Sequence, residues 1–208
     1  MTPHNETEGK AASMATHGHV LEDIFHAGQH LRMVEGDTPS YSRFRAQESA
    51  LVSVADHENP DAIGPLRVLV PYYKDAPLGA VSYLVSANQR RPSARNRYAR
   101  IDLVIAARAH QGGGLGRLLL AGVMTHLLRT EGDMLYSITC LAAHPAIAKM
   151  LEEYGFEGQP RSDLNYTIET LKLEGVDTPA LEARLAAQTG VALKRVQYMM
   201  RQSEGKGQ

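Results

Sequence analysis

Gln111-Gly112-Gly113-Gly114-Leu115-Gly116-Arg117 is the stretch on which the reading of this chain turns. An apolar, strand-like run, Ile101 to Ala107, leads into it, and a helical run, Leu115 to Arg129, leads away. Glycine carries no Cβ, so a glycine turn can bend sharply with its N–H groups facing one way and nothing blocking an approaching anion. The start of a helix adds N–H groups without intrahelical partners and the positive end of the helix dipole. Strand, glycine turn and helix together predict a pyrophosphate cradle. A Walker A loop is excluded, because no Gly-Lys followed by Ser or Thr is present. A dinucleotide fingerprint beginning at Gly112 would need glycine at position 117, which is Arg117. The spacing that fits is Gln/Arg-x-x-Gly-x-Gly, met by Gln111, Gly114 and Gly116.

Moving outward toward the amino terminus, Tyr98 to Ala107 reads as the strand that delivers the loop. Before it, Leu66 to Tyr73 and Leu78 to Val85 are β-branched and aromatic runs around the turn Lys74-Asp75-Ala76-Pro77, an antiparallel hairpin. Gln89 to Arg97 is a basic loop and reads as a solvated hairpin tip, against the alternative of a guard for an acidic acceptor or a phosphate of the ligand. A helix is expected over about Ser40 to Val52, after the break Gly36-Asp37-Thr38-Pro39. Another is expected over His19 to Arg32, where Leu21, Ile24, Phe25 and Leu31 recur at helical spacing. His19, Glu22, His26 and His30 would then share a stripe. With no cysteine or further carboxylate cluster in support, that stripe reads as a histidine-rich face, and no metal site is assigned.

Moving toward the carboxyl terminus, Leu115, Leu118, Leu119, Val123, Leu127 and Leu128 form a helical stripe that ends at Glu131-Gly132-Asp133. Met134 to Leu141 reads as a strand, and His144-Pro145 opens a helix that closes at Tyr154-Gly155. Asn165 to Leu173 reads as a strand, Thr178 to Gln188 as a short helix and Val191 to Arg201 as a final strand.

Composition sets the outer limits. The chain has 208 residues, enough for one large domain, expected over residues 19–201 between a loose arm at 1–18 and a frayed tail at 202–208. A net charge of -1 gives no electrostatic footprint for nucleic acid. The single cysteine, Cys140, excludes an intrachain disulfide framework and suits a reducing, cytoplasmic setting. No apolar run reaches the ~18 residues of a membrane span, so no membrane partner is expected.

The loop motif, the element order and Tyr154-Gly155-Phe156 resemble the GNAT (GCN5-related) N-acetyltransferase superfamily, whose acetyl-CoA loop has the Gln/Arg-x-x-Gly-x-Gly pattern. The resemblance spans about Leu66 to Arg201 and is strongest from Ile101 to Phe156. It implies an α/β (α+β) three-layer fold with a central mixed, mostly antiparallel, splayed sheet flanked by helices. It implies acetyl-CoA as cosubstrate and transfer of its acetyl group to a primary amine, on a small molecule or a protein, by direct attack in a ternary complex. Backbone groups of Val104, Ile105 and Ala106 would hold the thioester and pantetheine. Gln111, Gly112, Gly113, Gly114, Leu115, Gly116 and Arg117 would surround the pyrophosphate, and His144 stands where the family often has asparagine. Homodimers are common in the family, and the expected final strand, Val191 to Arg201, offers an edge for one.

Acetyl transfer needs a neutral amine, stabilisation of an oxyanion and a proton for the leaving thiolate. Asp102 stands nine residues before Gln111, at the family's common glutamate position, and is the only carboxylate in its strand. It is the candidate base, against the alternative of a structural aspartate. The family's tyrosine acid would fall at Leu151, so Tyr154 is the candidate, with packing as its alternative role; His144 or Tyr136 in its place, or an unassisted thiolate, are the other options. Because the acid position is altered, a non-catalytic acyl-CoA-binding or regulatory protein stands as the alternative function.

Overall fold

The computed structural model describes residues 19–21, 31–48, 65–87, 95–142, 145–160 and 167–204. Its centre is the unit the glycine stretch announces: strand β6 (Arg97–Ala106), helix α2 (Leu115–Glu131) and strand β7 (Leu135–Ala142), with β7 parallel to β6. In β6, Ala99, Ile101, Leu103 and Ile105 are buried between half-exposed neighbours, the period of two expected of a strand. Earlier in the chain lie β1 (His19–Leu21), β2 (Leu31–Glu35), α1 (Thr38–Glu48), β3 (Arg67–Tyr73), the short β4 (Ala76–Pro77) and β5 (Gly79–Ala87). Later come α3 (Pro145–Glu153), β8 (Glu157–Pro160), β9 (Thr167–Lys172) and α4 (Thr178–Glu204).

The sheet runs β1-β2-β3-β5-β6-β7-β9-β8, with β4 pairing β3 off this path. All its pairs are antiparallel except β6 with β7. A core forms on each face. On one, Leu118, Leu119 and Leu127 of α2 meet Ile101, Ile138 and Leu151. On the other, Tyr41 and Phe44 of α1 meet Val68, Val70, Leu103 and Ile105. This is the three-layer, mixed, mostly antiparallel arrangement implied by the resemblance.

Three expectations are corrected. The segment read as a helix over 19–32 has strands at both ends, while 22–30 lies outside the described residues. Leu31, Met33 and Val34 are buried because β2 pairs with β3 from Leu31↔Tyr73 to Glu35↔Leu69, and sheet pairing overrides the helical spacing. The run Val191 to Arg201 is not a strand but the second half of α4, a helix of 27 residues. Its buried positions, Leu181, Leu185, Ala192, Val196 and Met200, recur at helical steps, whereas Val191 and Tyr198, seven residues apart, are both exposed. Gly190 does not interrupt the helix, whose packing against α2 outweighs a cost of about 1 kcal/mol for an internal glycine. The proposed dimer edge on that segment therefore does not exist as a strand. Finally, the two last strands are β8 and β9, and the helix follows both rather than separating them.

Candidate functional site

β6 carries the site. Its pairing with β7 runs from Arg97↔Leu135 to Ile101↔Cys140 and stops there. Beyond it, Asp102 to Ala106 keep β5 on one side, through Leu103↔Ser82 to Ala106↔Gly79, but among the described residues no strand lies along the other. The sheet is splayed at this point, and Val104, Ile105 and Ala106 lie on the open edge, as the resemblance implied. The pairing with β5 steps from Ser82↔Leu103 to Tyr83↔Ile101, which leaves Asp102 as the extra residue of a β-bulge. The extra residue reverses the strand's facing: Ile101 joins the α2-side core, Leu103 and Ile105 the α1-side core.

From the end of β6 the chain makes a single 3-10 turn, Arg108–His110, and enters the glycines. Gln111 Nε2 donates back to the Ala106 carbonyl at 3.2 Å and pins the loop to the strand end. Gly112 and Gly114 have φ of 78° and 88°, conformations that an L side chain rarely adopts. Gly114 is the N-cap of α2; no side chain caps the helix, and no acidic residue stands in its first turn. The orphan N–H groups of that turn are therefore left for a ligand or water. A Cβ placed at Gly112 or Gly116 would meet no atom within 4 Å, so both glycines border open space. Leu115 contributes only its backbone, since its side chain is buried in the core.

Arg117, His110 and Arg195 border the loop. Arg117 is spoken for: its Nη1 donates to Glu153 Oε2 at 2.5 Å and to Gln188 Oε1 at 3.5 Å. Burial holds the His110 imidazole below its usual range, so it is neutral at neutral pH. Helix α4 lies directly against the loop. Met199 occupies the place where a Cβ on Gly113 would stand, and Arg195 Cδ is 3.5 Å from the corresponding point on Gly114. Reading that segment as a strand concealed both contacts. The signal that would have revealed the helix is the four-residue step Ala192, Val196, Met200.

The expected catalytic residues are placed as follows. Asp102 is not bare in apolar surroundings: Arg100 Nε donates to its Oδ1 at 2.5 Å and Arg100 Nη2 to its Oδ2 at 3.3 Å. Both partners are partly exposed. Tyr154 is wholly buried in the α2-side core, and its hydroxyl has no hydrogen-bond partner. Burial raises its phenol above the usual range, with nearby Arg117 acting in the opposite direction. Leu151 is also fully buried. His144 falls outside the described residues, as do Glu22, His26 and His30 of the expected histidine stripe. The Cys140 thiol is buried and pushed up to about 12, chiefly by burial and then by Glu169 and Asp102, so it stays a protonated core residue.

No protein-family model matches the chain, and no curated protein matches it in sequence. Solved structures do match. One, from Desulfovibrio desulfuricans, is described as an acetyltransferase of the GNAT family; it is 16% identical with TM-score 0.50, covering 69% of this chain and 99% of that one. Another is Arabidopsis thaliana Naa50 in complex with the bisubstrate analogue CoA-Ac-MVNAL, 15% identical with TM-score 0.51, covering 69% and 99%. At this identity the likeness establishes the fold, which is the GNAT fold. No helix among the described residues is long and apolar enough to cross a membrane.

Proposed function

We propose that this chain is an acetyl-CoA-dependent N-acetyltransferase that moves an acetyl group to a primary amine. One observation carries the reading: the unpaired edge of β6 runs straight into an uncapped glycine loop at the start of α2. A strand edge with free N–H and C=O groups suits the amide-bearing pantetheine arm. The loop and first helical turn suit the pyrophosphate. The residues present thus fit acetyl-CoA along one continuous path: Val104, Ile105 and Ala106, then Gln111 to Gly116.

Acetyl-CoA supplies the activated thioester, and the chain's own residues supply position and a proton acceptor. Asp102 sits at the bulge beside the splay, where an incoming ammonium would have to lose its proton. Arg100 on both carboxylate oxygens fixes its orientation, so proton removal runs through an intervening water or requires Arg100 to swing aside. Tyr154 is the candidate acid by its unpartnered hydroxyl, though it lies in the core. The acceptor is an amine on a small molecule or a polypeptide. The peptide-bearing analogue held by Naa50 makes an N-terminal peptide the first acceptor to try.

The second reading, a binder of acyl-CoA without transferase activity, is favoured by two specific features. Buried aliphatic Leu151 stands where the resemblance implies a tyrosine, and Asp102 is already paired. Thiol release from acetyl-CoA with a panel of amines, alongside calorimetric titration, separates the two. Binding with acceptor-dependent release supports the enzyme; binding without release for any amine supports the binder.

A further inference from the structure

The carboxyl-terminal helix departs from the final strand expected over Val191 to Arg201. It begins at Thr178, where Asp177 Oδ1 accepts from the Ala180 N–H at 3.1 Å, and passes α3, where Arg184 Nη2 donates to the Tyr154 carbonyl at 3.0 Å. It then meets the first turn of α2 through Gln188 and Arg117, and reaches the glycine loop with Arg195 and Met199. The helix is held there by burial of Ala192, Val196 and Met200 in the same core as α2. Its position over the loop is therefore built in, not incidental.

We propose that Arg195 is a phosphate-binding residue of the glycine cradle, delivered to the loop by α4 from later in the same chain and directed at the pyrophosphate of the CoA ligand. This deepens the acetyl-CoA reading above and rests on it. The stem of Arg195 lies on Gly114, so its guanidinium begins one bond beyond the loop contact, at the uncapped start of α2. Among the described residues it makes no hydrogen bond or ion pair, whereas Arg117, the cation within the loop motif, is held by Glu153. The α4 arginine thus takes the place that Arg117 leaves. A guanidinium matches two phosphate oxygens at once, which an ammonium cannot. Met199 covers Gly113: its flexible Sδ–Cε end fills the space that a side chain there would take.

The test compares wild type with Arg195→Gln and Arg195→Lys, titrated by calorimetry with acetyl-CoA, acetyl-dephospho-CoA and acetyl-pantetheine. Arg195 is exposed, so neither variant disturbs the core; equal melting temperatures check this. Arg195→Gln should weaken acetyl-CoA and acetyl-dephospho-CoA equally, by about ten- to a hundredfold, and leave acetyl-pantetheine unchanged. Arg195→Lys should recover part of the loss. Equal affinity of Arg195→Gln and wild type for acetyl-CoA overturns the proposal while leaving the acetyl-CoA reading standing. A loss that disappears with acetyl-dephospho-CoA overturns it too, by assigning Arg195 to the 3′-phosphate. If wild type itself fails to bind acetyl-CoA, the function proposed above falls, and this inference falls with it.

Discussion

The two ends of helix α2 are both polar, and they are built in opposite ways. At the carboxyl end, buried His126 Nε2 lies 2.9 Å from the Tyr83 hydroxyl, which donates to Glu35 at 3.0 Å. Buried Glu131 accepts from Arg97 and sits 3.7 Å from Arg67. None of Tyr83, His126 and Glu131 leaves a buried side-chain polar atom without a partner. At the amino end the helix has no side-chain cap and no acidic residue, two glycines face open space, and Arg195 has no partner among the described residues. The carboxyl end is complete as it stands, which is what a structural network requires. At the amino end the N–H groups of the first turn have no side-chain acceptor, the arrangement that an anion-binding site would use. The comparison says that perturbing one end should change stability and perturbing the other should change ligand handling, with little crossover.

The largest expected effect lies on the ligand side. Asp102→Asn keeps the shape of the side chain and removes the proton acceptor, so turnover with a true acceptor should fall by ~10²–10⁴-fold. Acetyl-CoA affinity should hold, because the loop is untouched, and the loss should shrink at high pH, where more of the amine is already neutral. Near-normal turnover at neutral pH would reduce Asp102 and Arg100 to a structural ion pair.

The next effect belongs to the opposite end. Tyr83→Phe removes the hydroxyl that serves both His126 and Glu35, leaving the buried His126 ring nitrogen without its partner at a cost of about 1–3 kcal/mol. Denaturant unfolding should show that loss while the acetyl-CoA affinity stays put. A stable variant with weakened binding would mean that the two ends of α2 are coupled.

A smaller effect is expected with pH. Burial is the main cause that holds the folded-state pKa of His126 below its ordinary value of 6.5, so the native imidazole stays neutral. As pH falls through 6.5 the unfolded chain takes up a proton that the native state refuses, and stability drops. The contribution is complete above 6.5 and is lost progressively down to the folded pKa, by at most about 1.4 kcal/mol per pH unit. His110 has the same sign, so His126→Gln should flatten the slope without abolishing it. Unfolding free energies at pH 7.5 and 5.5 in both proteins give the answer, and identical slopes would count against the buried neutral histidine.

The parts of this molecule that were legible in sequence are those fixed by local chemistry. The glycines at 112 and 114 demand backbone that other residues avoid, and they take it. Gly155 ends α3 with φ of 91° and the Phe156 N–H bonded to the Leu151 carbonyl, as Tyr154-Gly155-Phe156 suggested. What escaped was fixed by distant partners. β2 is a strand because β3 lies beside it. In α4, Val196, Tyr198 and Met200 alternate as a strand would, and contact with α2 favours the competing four-residue step Ala192, Val196, Met200, in which Tyr198 turns outward. β8 is short and carries Gly158, where a Cβ would stand 2.7 Å from Glu169 Oε1, a constraint set by a residue on another strand. Within the site, Arg100 was within reach of sequence reasoning. It stands two residues from Asp102, a spacing that a regular strand puts on one face, and the pair forms although the bulge at Asp102 interrupts that period.

The central claim is that the opening beside Gly112 and Gly116 is the place of the ligand's pyrophosphate. Gly116→Leu tests it most directly, because a Cβ there meets no heavy atom within 4 Å and the added side chain starts from open space. Calorimetric titration with acetyl-CoA should show binding by the wild type and a loss of about a hundredfold or more in the variant, roughly 3 kcal/mol, at an unchanged melting temperature. Undiminished affinity in a folded Gly116→Leu protein would contradict the account.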